Sequence, residues 1–139
     1  MDIYEHFVQY YETDQMGIVH HSNFIRWMEE ARVYFLDWMG FGYDWMEAEG
    51  IISPVVEVSC QYKQMVHFHE CVQIKVKIRT YNGVRLCLDY EMIEKESQKL
   101  CAAASSTHCF IDKKGKILML QKACPELDEK FKVACVQGS

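Results

Sequence analysis

Asp14, Gly17, His20, His21, Ser22 and Asn23 fall within ten positions, the densest collection of reactive and turn-forming groups in the chain. A carboxylate can act as a nucleophile or as the base that deprotonates a water. A helix beginning directly after it offers unpaired backbone N–H groups and the positive end of its dipole, which favour developing negative charge. Residues 11–39, YETDQMGIVHHSNFIRWMEEARVYFLDWM, combine the two as a polar loop feeding one long apolar helix. Alone, Asp14 is an ordinary turn residue, so its surroundings have to decide.

The elements that must position this loop are legible on either side of it. Residues 3–11 are rich in aromatic and β-branched types and suit a first strand. Asp14, Gln15 and Gly17 break the pattern, and Ser22 or Asn23 can cap a helix starting near Asn23. Phe24, Trp27, Met28, Ala31, Phe35, Trp38 and Met39 recur at spacings of three and four, which predicts a continuous apolar face. Gly40 and Gly42 end the helix, residues 43–49 add one or two turns, and Gly50 stops those.

From residue 53 the period becomes two. Val56, Val58, Cys60 and Tyr62 alternate with polar residues, as do Val72, Ile74, Val76 and Ile78, which predicts two half-buried strands. Asn82-Gly83 predicts a type I′ hairpin into a strand carrying Leu86, Leu88, Tyr90 and Met92. Residues 94–99 form a polar turn, and the small residues of CAAASS begin a strand over 100–111 that lets a neighbouring backbone approach. Residues 117–120 read as a short last strand and 125–132 as a terminal helical turn. The expected architecture is α+β, one curved antiparallel sheet of five or six strands around one long helix, in a single domain over residues 1–139.

Twenty acidic against fifteen basic residues, a net charge of -5, give no general attraction to nucleic acid or to anionic membranes. No stretch approaches a membrane span and the N-terminus has no secretory pattern, so the expected location is cytoplasmic. Seven cysteines without a CxxC pair read as reduced, buried small hydrophobes. If residues 67–71 form a strand, His67, His69 and Cys71 share one side of it, but no fourth ligand is spaced to join them, so no metal is expected. Exposed strand edges and surplus Trp, Tyr and Met predict oligomerisation.

The run YYETDQMGIVHHSNFIRWMEEAR, with its spacing Thr13-Asp14-x-x-Gly17-x-Val19-x-His21-x-x-Phe24, closely resembles the signature of the hotdog-fold acyl-CoA thioesterases of the 4-hydroxybenzoyl-CoA thioesterase type, including the bacterial branch associated with the Tol-Pal system. VEVSCQYKQMVHFHE resembles that family's second and third strands. The resemblance implies a hotdog fold, a homodimer or homotetramer built by edge-to-edge pairing, active sites at the dimer interface, and no metal or organic cofactor. It matches Asp14 to the family's catalytic carboxylate and His21 to a histidine near it. The chain departs at Glu12, where many relatives have Asp, at His20, where Tyr is common, and at Met65-Val66, where Pro-Ala is usual. These positions bear on acyl specificity and pocket shape.

The implied reaction releases a carboxylic acid and free CoA, and an acyl carrier protein thioester is a second possible substrate. Asp14 can orient and deprotonate water or attack the carbonyl itself. Backbone N–H groups of Ile18, Val19, His20 and His21 can stabilise the oxyanion, Gly17 permits a sharp turn or a close approach to substrate, and His21 supports by hydrogen bonding. Glu29 and Glu30 are alternative carboxylates, expected instead to pair with Arg26 and Arg32 along the helix flank. Lys63, Lys75, Lys77, Arg79 and Arg85 are candidate partners for CoA phosphates. Two other functions use the same residues: a hotdog dehydratase or hydratase acting on acyl thioesters, and a non-catalytic acyl-thioester-binding module.

Overall fold

In the computed structural model, which describes residues 3–137, the chain runs through β1 (Tyr4–Phe7), a 3-10 turn (Tyr10–Glu12), α1 (Ser22–Met39), α2 (Tyr43–Ala48), β2 (Val55–Tyr62), β3 (Cys71–Tyr81), β4 (Arg85–Glu94), β5 (Leu100–Cys109), α3 (Leu120–Ala123) and α4 (Pro125–Gln137). The five strands make one sheet in the order β1-β3-β4-β5-β2. β1 lies antiparallel to β3, from Tyr4 opposite Ile74 to Phe7 opposite Cys71. Among the described residues no helix is long and apolar enough to cross a membrane.

The chain divides into two compact units. One takes the chain to Phe35 with Cys60–Val76 and Tyr90–Ala104; the other takes Leu36–Ser59, Lys77–Asp89 and the chain from Ser105 on. In the first, the three-and-four spacing of α1 does what it predicts for Phe24, Trp27, Met28, Ala31 and Phe35, which are all buried. Trp38, expected on the same apolar face, is instead 51% exposed. Val72, Ile74 and Val76 of β3, Tyr90 and Met92 of β4, and Cys101, Ala102 and Ala104 of β5 are buried in the same unit. Arg32, buried on α1, donates from Nη1 to the Tyr90 hydroxyl at 3.1 Å.

In the second unit Leu36, Met46, Ile78, Leu86, Leu88, Phe110, Leu120, Leu127 and Phe131 form the core. Helix α4 is thirteen residues long, not a single turn, and opens on Pro125, whose missing N–H costs nothing at a first helical position. It is tied down by Asp128, which accepts from the Tyr81 hydroxyl at 2.5 Å and pairs with Lys132 at 2.9 Å. Burial raises the Asp128 carboxyl, but these two hydrogen bonds outweigh it and hold the group below the usual carboxylate range.

Four local expectations need correcting. β1 stops at Phe7, because residues 10–12 close a 3-10 turn with Glu12 N–H on the Gln9 carbonyl. β2 has the expected alternation but not the expected burial: Val55, Val56, Val58 and Tyr62 are each between 42 and 49% exposed, since β2 is an edge strand. The β3–β4 hairpin forms, yet only Gly83, at φ +91°, has positive φ, so the turn is not type I′. The Asn82 side chain takes over by accepting from the N–H groups of Val84 and Arg85. Residues 117–120 contribute a single bridge, Ile117 with Ile111, before α3 begins at Leu120. All seven cysteines are free thiols; Cys71 and Cys101 are buried and the other five half-buried.

Candidate active site

The loop between the 3-10 turn and α1 is a miniature hairpin. Thr13 bridges Val19, the Asp14 N–H donates to the Ile18 carbonyl at 2.8 Å, and Gly17 N–H returns to the Asp14 carbonyl at 3.0 Å. Gly17 sits at φ +75°, a conformation that L side chains rarely adopt, which is the local reason for glycine here. The Asp14 side chain closes the same turn. Its Oδ1 accepts from the Met16 N–H at 2.8 Å and the Ile18 N–H at 3.2 Å. Asp14 is therefore both the turn residue it resembles in isolation and an exposed carboxylate held by one oxygen.

The loop's far side is fixed to the segment after β2. Ile18 bridges His67, and Val19 N–H donates to the Val66 carbonyl at 2.8 Å. The His20 N–H donates to the Glu12 carbonyl at 2.9 Å. Of the four N–H groups expected to face an oxyanion, those of Ile18, Val19 and His20 are thus spent inside the fold. The His21 N–H, immediately before α1, has no partner among the described residues. The positive end of the α1 dipole lies at that point.

The His20 and His21 rings are stacked, with centroids 4.3 Å apart, and both residues are exposed. His20 Nδ1 lies 2.8 Å from Ser22 Oγ. Asp14 and His21 make no hydrogen bond with each other among the described residues. Asn23 does not cap the helix: it is buried one position inside α1, and its Nδ2 donates to the Glu12 carbonyl at 2.9 Å. Tyr62 enters the site without having been expected there. Its hydroxyl donates to the His21 carbonyl at 3.2 Å, and burial, followed by the neighbouring Cys60, pushes its phenol up. A tyrosine ending an alternating strand carries no signal that would have picked it out.

Behind the loop stands a buried polar cluster. Glu12 is 4% exposed, and its Oε1 accepts from the Gln9 N–H at 2.8 Å and lies 2.8 Å from His6 Nε2; its Oε2 accepts from Trp27 Nε1 at 2.7 Å. His6 Nδ1 reaches Glu30 Oε1 at 3.1 Å, and the Tyr4 hydroxyl donates to that same oxygen at 2.6 Å. Burial raises the Glu12 carboxyl, but the donors from Gln9, His6 and Trp27 outweigh it and leave the group below the usual range. Burial and then the Glu30 carboxylate push the Tyr4 phenol above its ordinary value. Glu30 therefore serves β1 rather than pairing with Arg26, whose Nη1 goes to Ser22 and Asn23 instead. The available signal was the Gln9-x-x-Glu12 spacing, at which a glutamate side chain reaches back to the N–H that opens the turn.

Among the candidate cations, Lys75 is exposed on β3, and Arg79 lies 3.6 Å from Asp89. His67 turns to Glu70 at 3.0 Å, and no cluster of three possible metal ligands exists among the described residues.

Comparison with known proteins follows the same outline. The model of the thioesterase-like superfamily matches residues 8–134. YneP of Bacillus subtilis, provisionally named an acyl-CoA thioesterase, is 37% identical over 128 residues, covering 91% of this chain and 92% of its own. A DHNA-CoA thioesterase from Staphylococcus aureus superposes with a TM-score of 0.90 at 32% identity, over 97% of this chain and 89% of that one. A 1,4-dihydroxy-2-naphthoyl-CoA thioesterase from Synechocystis does so at 0.79 and 26% identity, over 91% and 96%.

Proposed function

The chain belongs to the thioesterase-like superfamily and is a thioesterase with the α+β hotdog fold; from that premise we propose that it hydrolyses acyl-CoA thioesters to a carboxylic acid and free CoA, with Asp14 as the catalytic carboxylate. The observation that carries the reading is the exposed Asp14 carboxylate, anchored through Oδ1 alone, in the loop that ends at the unpartnered His21 N–H. A thioester carbonyl oxygen directed at that N–H gains the donor and the helix dipole as it becomes negative. Asp14 then either takes a proton from the attacking water or attacks the carbonyl itself to give an anhydride that water opens; either way the C–S bond breaks and CoA leaves as a thiolate.

Gly17 shapes the turn, and Ile18, Val19 and His20 form the wall between Asp14 and the helix. The His21 ring, exposed beside His20, supports by hydrogen bonding substrate. The whole chain acts as one domain, in the cytoplasm, without metal or cofactor. The apolar edge strand β2, with Val55, Val56 and Val58 exposed, favours a homodimer or homotetramer.

The test is a panel of acyl-CoAs assayed for free thiol release. Asp14→Asn keeps the turn's acceptor but loses the charge, and should lower kcat by about 10²- to 10⁴-fold with an unchanged melting temperature. A wild-type protein that hydrolyses no member of the panel, or an Asp14→Asn variant with full activity, sinks the assignment.

A further inference from the structure

Glu12 directly precedes the Asp14 loop and is buried, and more of the loop's hydrogen bonds converge on it than on any other residue of the cluster. Its carboxylate joins three elements: the 3-10 turn through Gln9, α1 through Trp27, and β1 through His6. Its peptide carbonyl accepts from both the His20 N–H and Asn23 Nδ2. Residues 13–19 therefore leave Glu12 at one end and return to it at the other. Both ends of the loop that separates the Asp14 carboxylate from the first turn of α1 are tied to this one residue.

The cluster is also connected in a defined way. His6 presents Nε2 to Glu12 at 2.8 Å and Nδ1 to Glu30 at 3.1 Å, so one imidazole bridges two carboxylates. The groups facing His6 are those two carboxylates, the Tyr4 hydroxyl that shares the Glu30 oxygen, and the Trp27 indole, whose ring centroid is 4.6 Å away. A buried polar cluster of this kind is costly to break from one side, because the remaining groups lose their hydrogen-bond partners.

We propose that Glu12, linked through the His6 ring to Glu30, is a positioning residue that holds the Asp14 loop against the start of α1. This rests on the reading of Asp14 as the catalytic carboxylate. Glu12 acts through Asp14 and does not meet substrate. A displacement of about 1 Å in a reacting group is enough to lose about 10²-fold in rate, and that is the loss expected here.

The experiment compares wild type, Glu12→Gln, Asp14→Asn and the double variant. Glu12→Gln is nearly isosteric but removes the charge and sets an amide NH2 against one of the N–H donors that Glu12 accepts from, and Glu30→Gln, at the half-exposed end of the cluster, serves if the first does not fold. Expected for Glu12→Gln is a fall in kcat of about 10²-fold with KM within about twofold. In the Asp14→Asn background the same change should have almost no further effect, since a residue acting only through Asp14 has nothing left to position. An equal factor in both backgrounds, or a rise in KM alone, overturns the proposal. A second readout needs no turnover: the Met16 and Ile18 amides, bonded to Asp14 Oδ1, should exchange with deuterium faster in Glu12→Gln while α4 amides are unchanged. If no thioester is hydrolysed, the reading of Asp14 fails, and unchanged amide exchange would overturn the positioning role separately.

Discussion

Glu12 and Asp128 are chemically the same device placed in two regions. Each is a carboxylate only 4% exposed, each accepts from an aromatic side chain's polar tip, and each is held below the usual carboxylate range by its donors against the pull of burial. Their surroundings differ. Asp128 binds Tyr81 of β3 and Lys132 one turn along its own helix, so it closes α4 onto the apolar core of its unit. Glu12 binds an imidazole that is itself bound to a second carboxylate, and its peptide carries the ends of a loop. A buried carboxylate with a local cationic neighbour secures an element. One embedded in a chain of hydrogen-bonded side chains, next to a tight turn, is proposed to fix a relative position.

The sharpest break between the two is in what their loss should do. Asp128→Ala leaves the Tyr81 hydroxyl without its acceptor and should cost about 1–3 kcal/mol of stability, read by denaturant unfolding, with kcat unchanged. A fall in kcat comparable to that of Glu12→Gln would erase the distinction. The pH dependence comes next. Both carboxyls are depressed in the folded state, so their contribution is complete above the ordinary carboxyl value of about 4 and is lost as pH falls through it toward the folded values. Thermal unfolding from pH 7 down to 3 should therefore show a melting temperature that drops on the acid side, less steeply in either Glu12→Gln or Asp128→Ala than in wild type. The smallest effect belongs to Arg79–Asp89, a pair 3.6 Å apart with both side chains well exposed. Asp89→Asn should change stability by less than about 0.5 kcal/mol, and a larger change would mean that surface charge pairs matter here as much as buried ones.

The local elements of this fold were legible because each is written in a short repeat. The apolar residues of α1 recur at three and four, those of β3 and β4 at two, and the buried sets follow these periods. β2 carries the same period and is nevertheless exposed, because alternation records which side chains share a face and not whether anything covers it. The hairpin after β3 was legible from Asn82-Gly83. Its type was not, since the Asn82 side chain, rather than a second positive φ, closes the turn.

The candidate site divides in the same way. Asp14, Gly17 and His21 lie within eight positions, and a turn of that length is governed by neighbouring residues, so spacing alone brings Asp14 and Gly17 into one hairpin beside a helix start. Which N–H remains for a substrate was not legible. The Ile18 N–H is consumed by Asp14 within the loop and that of His20 by the neighbouring Glu12 carbonyl, but the Val66 carbonyl that takes the Val19 N–H comes from a distant stretch of chain.

The sequence by itself determined the order and type of the main elements, the loop that carries Asp14, and the family, because these depend on periodicity, turn chemistry and an unbroken run of residues. The tertiary structure decided that Glu30 turns to β1, that Arg32 is buried against Tyr90, and that His6, Glu12 and Trp27 meet. Those contacts join residues from separate elements, and a buried charge can take whichever partner the fold brings within hydrogen-bond reach.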